Sequence, residues 1–423
     1  MRTIALHGGT PIRSEKFPPY YPGANLMGKE EAEASAGIAL SQSPFRYYGV
    51  DMKYKVRQFE DMFTEVSAAR FSLAVTSGTA ALMVSLKALR IGYGDKVAVP
   101  ACTFIATAAV VIAAGAVPVF VDVDESLNMD PLDLHTKLSE DDEIRAVIAV
   151  HILGYPCDMD GIMKVACHYQ VPVIEDVAQS CGTTYKGRFC GTIGDIGAFS
   201  FQMNKLITCG EGGAVVTNDP DIFERAVRYH DHGGFRDKER YGIDSECVFA
   251  FAGQNYRMSE FAGAVMVEQL KKLETIISRM RAHHDRIVNG LAQALPGLTL
   301  RKLYDPAGAA GCSVAVVLDS AALASTFIKA LNAENINAMP LYDARPLYHN
   351  EIFQQRKSVE KNGFPFCYPF KHPLDYSNVL CPRAEHLAPR MVFIPITSVI
   401  PDHEIEPIIE GIISVYHAIH TGK

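Results

Sequence analysis

The chain lacks most of the marks that would assign it quickly. It holds ten cysteines but no Cys-x-x-Cys pair. Cys157, Cys167, Cys181, Cys190 and Cys209 are irregularly spaced, and 423 residues need no staples, so free buried thiols in a reducing cytoplasm are expected. There is no His-Glu-x-x-His and no paired ligand spacing, so no metal site is expected. His230 and His232 flank Asp231 and read as loop or structural histidines. A basic surplus is missing too: 40 Lys and Arg against 48 Asp and Glu leave a net charge of −8. That argues against a general nucleic-acid binder, though not against a local basic pocket. No G-x-G-x-x-G follows a strand, and neither a G-x-x-x-x-G-K-[ST] loop nor a G-x-S-x-G elbow is present. Hydride transfer and ATP-driven chemistry therefore have little support.

Charge is absent from one long stretch, Val97 to Val121, long enough on paper to span a bilayer. Pro100, Gly115 and Pro118 interrupt it where strand, helix and strand would meet, so it reads as buried core rather than membrane. The opening MRTIALHGGTPIR has no apolar core of signal-peptide length. A cytoplasmic setting without membrane is expected.

What is present is alternation. Apolar runs at Leu73–Val75, Val97–Val99, Val117–Val121, Val147–Val150 and Val171–Ile174 alternate with helix patterns at Thr79–Leu89, Phe104–Ala114, Pro131–Leu138 and Met159–Tyr169. Pro172 suits the start of a strand better than its middle. Such alternation implies right-handed crossovers and a mainly parallel sheet. Two further runs, Ala198–Phe201 and Ala214–Thr217, are linked too closely for a crossover, so the sheet is expected to be mixed. Pro220–Tyr229 reads as a helix, followed by the polar loop HDHGGFRDKERYGIDSE. One long helix is expected from Ser259 to about Leu291, with Leu270, Leu273, Ile277 and Met280 on its apolar face, ended by Pro296-Gly297. Strands at Ser313–Leu318 and near Met391–Ile394, helices at Ala321–Ala333 and Asp402–His420, and an irregular Pro/Tyr-rich stretch complete a smaller α+β region. No internal repeat is visible.

Three segments carry chemistry. In TSGTAAL, Ser77, Gly78 and Thr79 sit where a strand hands over to a helix. Free N–H groups and the helix dipole make that a phosphate site, although the same residues make an ordinary N-cap. In VIEDVAQS, an apolar strand ends at Glu175-Asp176 with Gln179 three residues on. A carboxylate at the carboxyl end of a strand can hold a protonated ring nitrogen, or can simply cap a helix. In FSFQMNKLITCGEGG, Lys205 lies between two apolar strands. A partly desolvated lysine has a lowered pKa and can form a Schiff base; the alternative is a surface lysine in a hairpin loop. The following glycines let the backbone approach a cofactor. A phosphate cradle, a ring-nitrogen carboxylate and a Schiff-base lysine, in that order, are the needs of pyridoxal 5'-phosphate (PLP).

The sequence resembles the DegT/StrS-type sugar aminotransferases, fold-type I PLP enzymes akin to aspartate aminotransferase. The resemblance rests on SGTAAL (77–82), PACTFIAT (100–107), the H-x-x-G-x-x-x-D-M-D pattern (151–160), EDVAQS (175–180), GDIGAFSF (194–201), K-x-x-x-x-GEGG (205–213) and NYRMSE (255–260). It implies a large domain with a mixed, mainly parallel seven-stranded sheet over residues 1–258 with an N-terminal arm. A linker helix and small α+β domain would then occupy 259–423. It implies Lys205 as the Schiff-base lysine and Asp176 as partner of the pyridine nitrogen. Gln179 would bond the cofactor's 3-hydroxyl, Phe104 would stack on the ring and Ala178 would lie near the opposite face. Gly78, Thr79 and Ser200 would hold the phosphate. Asn255 matches an asparagine that reaches the phosphate of a neighbouring subunit's cofactor, so a homodimer with shared sites is implied.

The reaction implied is a ping-pong transamination from glutamate or glutamine, through pyridoxamine phosphate (PMP), to a keto or aldehyde carbon of a sugar-like acceptor. Gln202, three before the lysine, and the opening LHGGTPIRSEKFPPYYP resemble the branch acting on cyclitols and free or modified sugars. Candidate acceptors are a scyllo-inosose-type cyclitol, an aminohydroxybenzoate precursor, a keto-hexose phosphate, a nucleotide-linked keto-sugar, or an 8-oxo 3-deoxy-octulosonate. The last would give 8-amino-3,8-dideoxy-octulosonate for lipopolysaccharide. Many Cys, Ile and Lys and few Gly-Ala runs do not suit a high-GC antibiotic producer, so the octulosonate is preferred, with Arg46, Arg236 or Arg257 as candidates for its carboxylate. A PLP/PMP-dependent sugar dehydratase is disfavoured because Lys205 is retained. A non-catalytic PLP-binding regulator is disfavoured by the acidic charge and the lack of a DNA-binding module.

Overall fold

The computed structural model describes residues 2–243, 251–378 and 380–421. Positions 244–246 of the polar loop lie outside the described residues.

Two helices precede the first strand, α1 (Lys29–Ser41) and α2 (Lys55–Ser67). Then strands and helices alternate: β1 (Phe71–Val75), α3 (Gly78–Ala88), β2 (Lys96–Pro100), α4 (Ile105–Ala113), β3 (Val117–Val121), α5 (Pro131–Glu140), β4 (Ile144–Val150), α6 (Met159–Tyr169) and β5 (Val173–Asp176). A short hairpin of β6 (Thr184–Tyr185) and β7 (Arg188–Phe189) leads to β8 (Ile196–Ser200), β9 (Gly213–Thr217), α7 (Pro220–His230) and α8 (Lys238–Tyr241). The helix starts follow local chemistry. Ser77, Asp130, Asp158, Asp219 and Ser259 each accept a backbone N–H of the first turn that has no partner within the helix.

The large sheet has the order β1-β9-β8-β5-β4-β2-β3. β8, β5, β4, β2 and β3 pair in parallel, whereas β9 runs antiparallel to both β8 and β1. The expected mixed seven-stranded sheet is therefore present. Helices cover both faces, which is why its strands are mostly apolar runs instead of alternating. In β4, Val147 and Ala149 pack with Phe59, Leu134, Ile162 and Met266 on one face. Ala146, Ile148 and Val150 pack with Leu82, Val111 and Phe223 on the other. The charge-free stretch resolves into β2, α4 and β3. Among the described residues no helix is long and apolar enough to cross a membrane.

The expected single helix from Ser259 is two: α9 (Glu260–Leu270) and α10 (Leu273–Ala294). At the junction the Lys272 amide bonds Gln269 O, three residues back, instead of continuing the four-residue ladder. Lys272 Nζ reaches the Leu26 carbonyl at 2.8 Å and the Glu31 carboxylate at 2.6 Å. The apolar stripe survives the break, since Leu270, Leu273, Ile277 and Met280 are all buried. Beyond it, β10 (Thr299–Leu300), β11 (Ser313–Val317), β13 (Met391–Pro395) and β12 (Met339–Pro340) form a second, antiparallel sheet in that order. Helices α11 (Ala321–Ala333), α12 (Glu351–Gln354), α13 (Pro382–Leu387) and α14 (Ile405–Thr421) accompany it.

The thiols differ in part from expectation. Cys102, Cys157, Cys181, Cys190, Cys312 and Cys381 are free and buried, but Cys167 and Cys367 are exposed and Cys209 is partly so. Cys167 lies in the later turns of α6, outside that helix's buried set of Met159, Ile162 and Ala166. His230 ends α7, buried, with Nδ1 2.5 Å from Val227 O, and His232 sits in a turn with φ 53°.

Candidate active site

A cavity of about 770 Å³ opens at the carboxyl ends of the parallel strands. Open α/β sheets bind ligands there. It collects Gly78, Thr79, Phe104, Asp176, Ala178, Gln179, Ser200 and Lys205, eight of the nine cofactor residues expected from the sequence.

The end expected to hold a phosphate is built by topology. β1 and β8 both end at this edge, and α3 begins there. A Cβ added to Gly78 would stand 2.6 Å from Ser200 Cβ, so only glycine lets the helix start approach Ser200 this closely. Gly213 does the same from β9, where a Cβ would meet the Ser77 carbonyl oxygen at 2.4 Å. The Ser77 hydroxyl accepts from the Ala80 amide. The first amides of a helix have no intrahelical acceptor, so those of Gly78 and Thr79 are available to an anion.

Strand alternation at the end of β5 separates two carboxylates. Glu175 points into the protein and is fully used: Oε2 accepts from His151 Nε2 at 3.0 Å and Gly191 N at 2.8 Å, and Oε1 from Ile193 N at 2.6 Å and Gly194 N at 2.7 Å. The Cys157 amide donates to His151 Nδ1 at 3.0 Å, so the imidazole proton sits on Nε2. Cys190 stands close enough to complete a metal-type cluster with His151 and Glu175, but both Glu175 oxygens already hold two donors each. This group is an anchor beneath the site. Asp176 faces the cavity instead. Its Oδ1 accepts from Ala178 N at 3.1 Å and its Oδ2 from the Thr107 hydroxyl at 2.9 Å. Burial raises its carboxyl above the usual range, opposed by those donors and by the Lys205 charge.

Lys205 is fixed through its backbone, its amide bonding Gln202 O at 2.9 Å and its carbonyl accepting from Gly23 N at 3.2 Å. Among the described residues its Nζ has no hydrogen bond or ion pair. Burial lowers its pKa, with Asp176 and Cys312 pulling the other way. Gln179 bridges the two parts of the cavity wall: Oε1 accepts from Leu153 N at 3.3 Å and Nε2 donates to the Tyr342 hydroxyl at 2.8 Å. The Phe104 ring is 55% exposed, facing the cavity 6.2 Å from the Tyr342 ring centre.

Asn255 is not brought into this cavity. It is exposed, paired as a β-bridge with Asp231. The arginines expected to meet an acceptor carboxylate are also elsewhere, each beside a carboxylate of this chain. Arg46 is buried against Glu60 at 2.7 Å, and Arg236 and Arg257 bond the two oxygens of Asp231 at 2.6 and 2.5 Å. Sequence reasoning missed Thr107, Tyr342, Tyr20, Asn204 and Glu211, all of which line the cavity. Thr107 had a signal, one helical turn after Phe104 in the same motif. Tyr342 had none, because it arrives from the second sheet.

The chemistry fits PLP: an unpartnered, partly desolvated amine, a buried carboxylate open on one side, and a glycine-lined helix start beside a serine share one cavity. The comparisons agree. Residues 49–413 match the DegT/DnrJ/EryC1/StrS aminotransferase family. The chain is 30% identical over 416 residues to the L-glutamine:2-deoxy-scyllo-inosose aminotransferase of Micromonospora echinospora, covering 95% of this chain and 94% of that one. It is 37% identical to the GDP-perosamine synthase of Escherichia coli O157:H7 over 242 residues, 56% of this chain and 64% of that enzyme. Among solved structures, the aminotransferase from Psychrobacter cryohalolentis superposes with a TM-score of 0.79 at 30% identity, over 96% of this chain and 100% of that one. The chain thus belongs to the DegT/DnrJ/EryC1/StrS family and is a PLP-dependent aminotransferase of the sugar and cyclitol type.

Proposed function

We propose that the protein moves an amino group from glutamine or glutamate to a keto carbon of a neutral, polyhydroxylated ring of the cyclitol type. The observation that carries the reading is Lys205 Nζ, unpartnered in the same cavity as Asp176 and the Gly78–Ser200 cradle. Lys205 is assigned the covalent link to PLP and, once released from it, the movement of a proton at the reacting carbon. With PLP bound, Asp176 would face the pyridine nitrogen and Gln179 the 3-hydroxyl, and Phe104 and Ala178 would flank the ring. Gly78, Thr79 and Ser200 would hold the phosphate. Bound PLP supplies an electron sink for the carbon that gains or loses the amine.

A neutral acceptor suits the lining. Besides Lys205 it contains no cation among the described residues, whereas Gln202, Asn204, Glu211 and the Tyr20 hydroxyl offer hydrogen bonds to a polyol. Within this subunit's lining an octulosonate carboxylate would find no cation besides Lys205, since Arg46, Arg236 and Arg257 are committed to Glu60 and Asp231. The similarity to the Micromonospora enzyme, named for glutamine and 2-deoxy-scyllo-inosose, points the same way. The donor's own carboxylate meets the same lack, and Asn255 stands exposed outside the cavity. Both support a homodimer in which a neighbouring subunit completes the mouth. We further propose a cytoplasmic setting and a division into a large unit ending near 258 and a smaller one beginning at 259.

The test is direct. Protein loaded with PLP and given L-glutamine should then aminate scyllo-inosose or its 2-deoxy form. Amination of the oxidised octulosonate alone would overturn the cyclitol reading. Borohydride should fix the cofactor to the wild-type chain and not to Lys205→Ala; equal fixation in both would overturn the lysine assignment.

A further inference from the structure

Asp176 has one oxygen, Oδ2, held by a side chain, that of Thr107. Thr107 is the third residue of α4, so the residue four before it lies just outside the helix. Four residues before Thr107 is Thr103, and the contact made there is hydroxyl to hydroxyl: Thr107 Oγ1 lies 3.0 Å from Thr103 Oγ1 and 2.9 Å from Asp176 Oδ2. All three residues are buried, at 1%, 2% and 4% exposure for Thr107, Thr103 and Asp176. A hydroxyl has one proton to give, and an ionised carboxylate only accepts. Thr107 therefore donates to Asp176, and its lone pair accepts from Thr103. The chain of donors has one direction as long as Asp176 is charged. If Asp176 took up a proton on Oδ2, the chain would have to reverse or break.

We propose that Thr107 is a positioning residue for Asp176, oriented in turn by Thr103, so that the start of α4 sets both the ring-stacking Phe104 and the orientation and ionisation of the carboxylate that faces the cofactor's ring nitrogen. The proposal rests on the Asp176 assignment made under "Proposed function". Phe104 and Thr107 lie one turn apart on the same helix start. A shift of that turn would move the ring's platform and its nitrogen partner together. The Thr107 hydroxyl also opposes the effect of burial on the Asp176 carboxyl.

The variants are Thr107→Val, which keeps the shape and deletes the hydroxyl, Thr107→Ser, which keeps the hydroxyl, and Thr103→Val. Loaded protein is measured three ways: PLP affinity by titration, the pH midpoint of the bound cofactor's visible absorbance, and kcat and KM. Thr107→Val is expected to weaken PLP roughly tenfold, to displace the absorbance midpoint, and to lower kcat about tenfold with acceptor KM changed less than about twofold, the size of one charge-assisted hydrogen bond. Thr107→Ser should recover most of each loss, and Thr103→Val should show the same changes at smaller size. Equal behaviour of Thr107→Val and wild type would overturn the proposal. So would equal impairment of Val and Ser, which would mean packing alone. If Thr107→Val does not fold, the Ser and Thr103→Val results decide: an unmoved absorbance midpoint in Thr103→Val would overturn the relay. Wild-type protein that took up no PLP, or an Asp176→Ala variant with an unchanged spectrum, would instead overturn the site assignment beneath it.

Discussion

Asp176 and Lys205 are each held in a state that costs the empty protein stability. Burial raises the Asp176 carboxyl above its ordinary 3.8, so the fold holds that proton more tightly than the unfolded chain does. Its contribution is then most favourable in acid and declines as pH rises from 3.8 through the raised value. Lys205 is opposite in sign: its pKa lies below 10.5, so its contribution is poorest where the amine is charged and improves as pH climbs from the lowered value to 10.5. At neutral pH, Asp176→Asn should make the cofactor-free protein more stable, by roughly 1 °C in Tm per kcal/mol relieved, while weakening PLP binding at least tenfold. Calorimetry with and without PLP checks both halves. A variant less stable when empty would show that the carboxylate is not under this strain. Gly78→Ala should act on affinity in the same direction, because its new methyl group falls on Ser200, and a PLP titration would show it.

At the scale of elements, close packing decides where helices lie. α9 crosses α2 at Gly263, where a Cβ would come within 2.6 Å of Val56 N and 2.7 Å of Val56 Cγ2. Gly263→Ala should cost about 1–3 kcal/mol, visible as a lower denaturant midpoint with an unchanged slope. Much at this scale was legible. The strands of the large sheet are mostly apolar on both faces, so each shows as a run, and Ser or Asp caps mark several helix starts. The break between α9 and α10 was not legible, because the apolar stripe continues through it and the cause is a remote pairing of Lys272 with Glu31. α1 and α2 went unread although α2 buries Val56, Phe59 and Phe63 on one side. Of the site, the residues on the first sheet's edge were legible through their motifs. Tyr342 and Tyr20 were not, since nothing local signals that distant segments close over the same cavity.

Across the whole molecule, the first residues are tied to the last helices. Buried Glu334, at the end of α11, accepts from the Ala5 and Ile12 amides at 2.6 Å each and pairs with Arg2 at 2.8 Å. Arg13 adds a pair to Glu404 and a bond to Asn335 O. The same arm continues to Tyr20 at the cavity wall. Glu334→Ala strands two amides and an arginine, so a loss of about 2–4 kcal/mol is expected in chemical unfolding. A looser arm should also raise KM for the acceptor more than it lowers kcat. Unchanged kinetics in a destabilised variant would confine the arm to scaffolding.

The antiparallel β9 has a consequence in time as well as in space. It lies between β1 and β8, so the helix start at Gly78 and the hydroxyl of Ser200 become neighbours only after Gly213–Thr217 has paired with both. A ribosome-bound chain that has emerged as far as Ser200 already contains Lys205's future neighbours Asp176 and Gln179, yet it lacks the assembled Gly78–Ser200 cradle proposed to hold the phosphate. Capture of PLP by the nascent or refolding chain therefore marks completion of the sheet's centre, and a truncation series should show it switching on abruptly once the β9 segment is available.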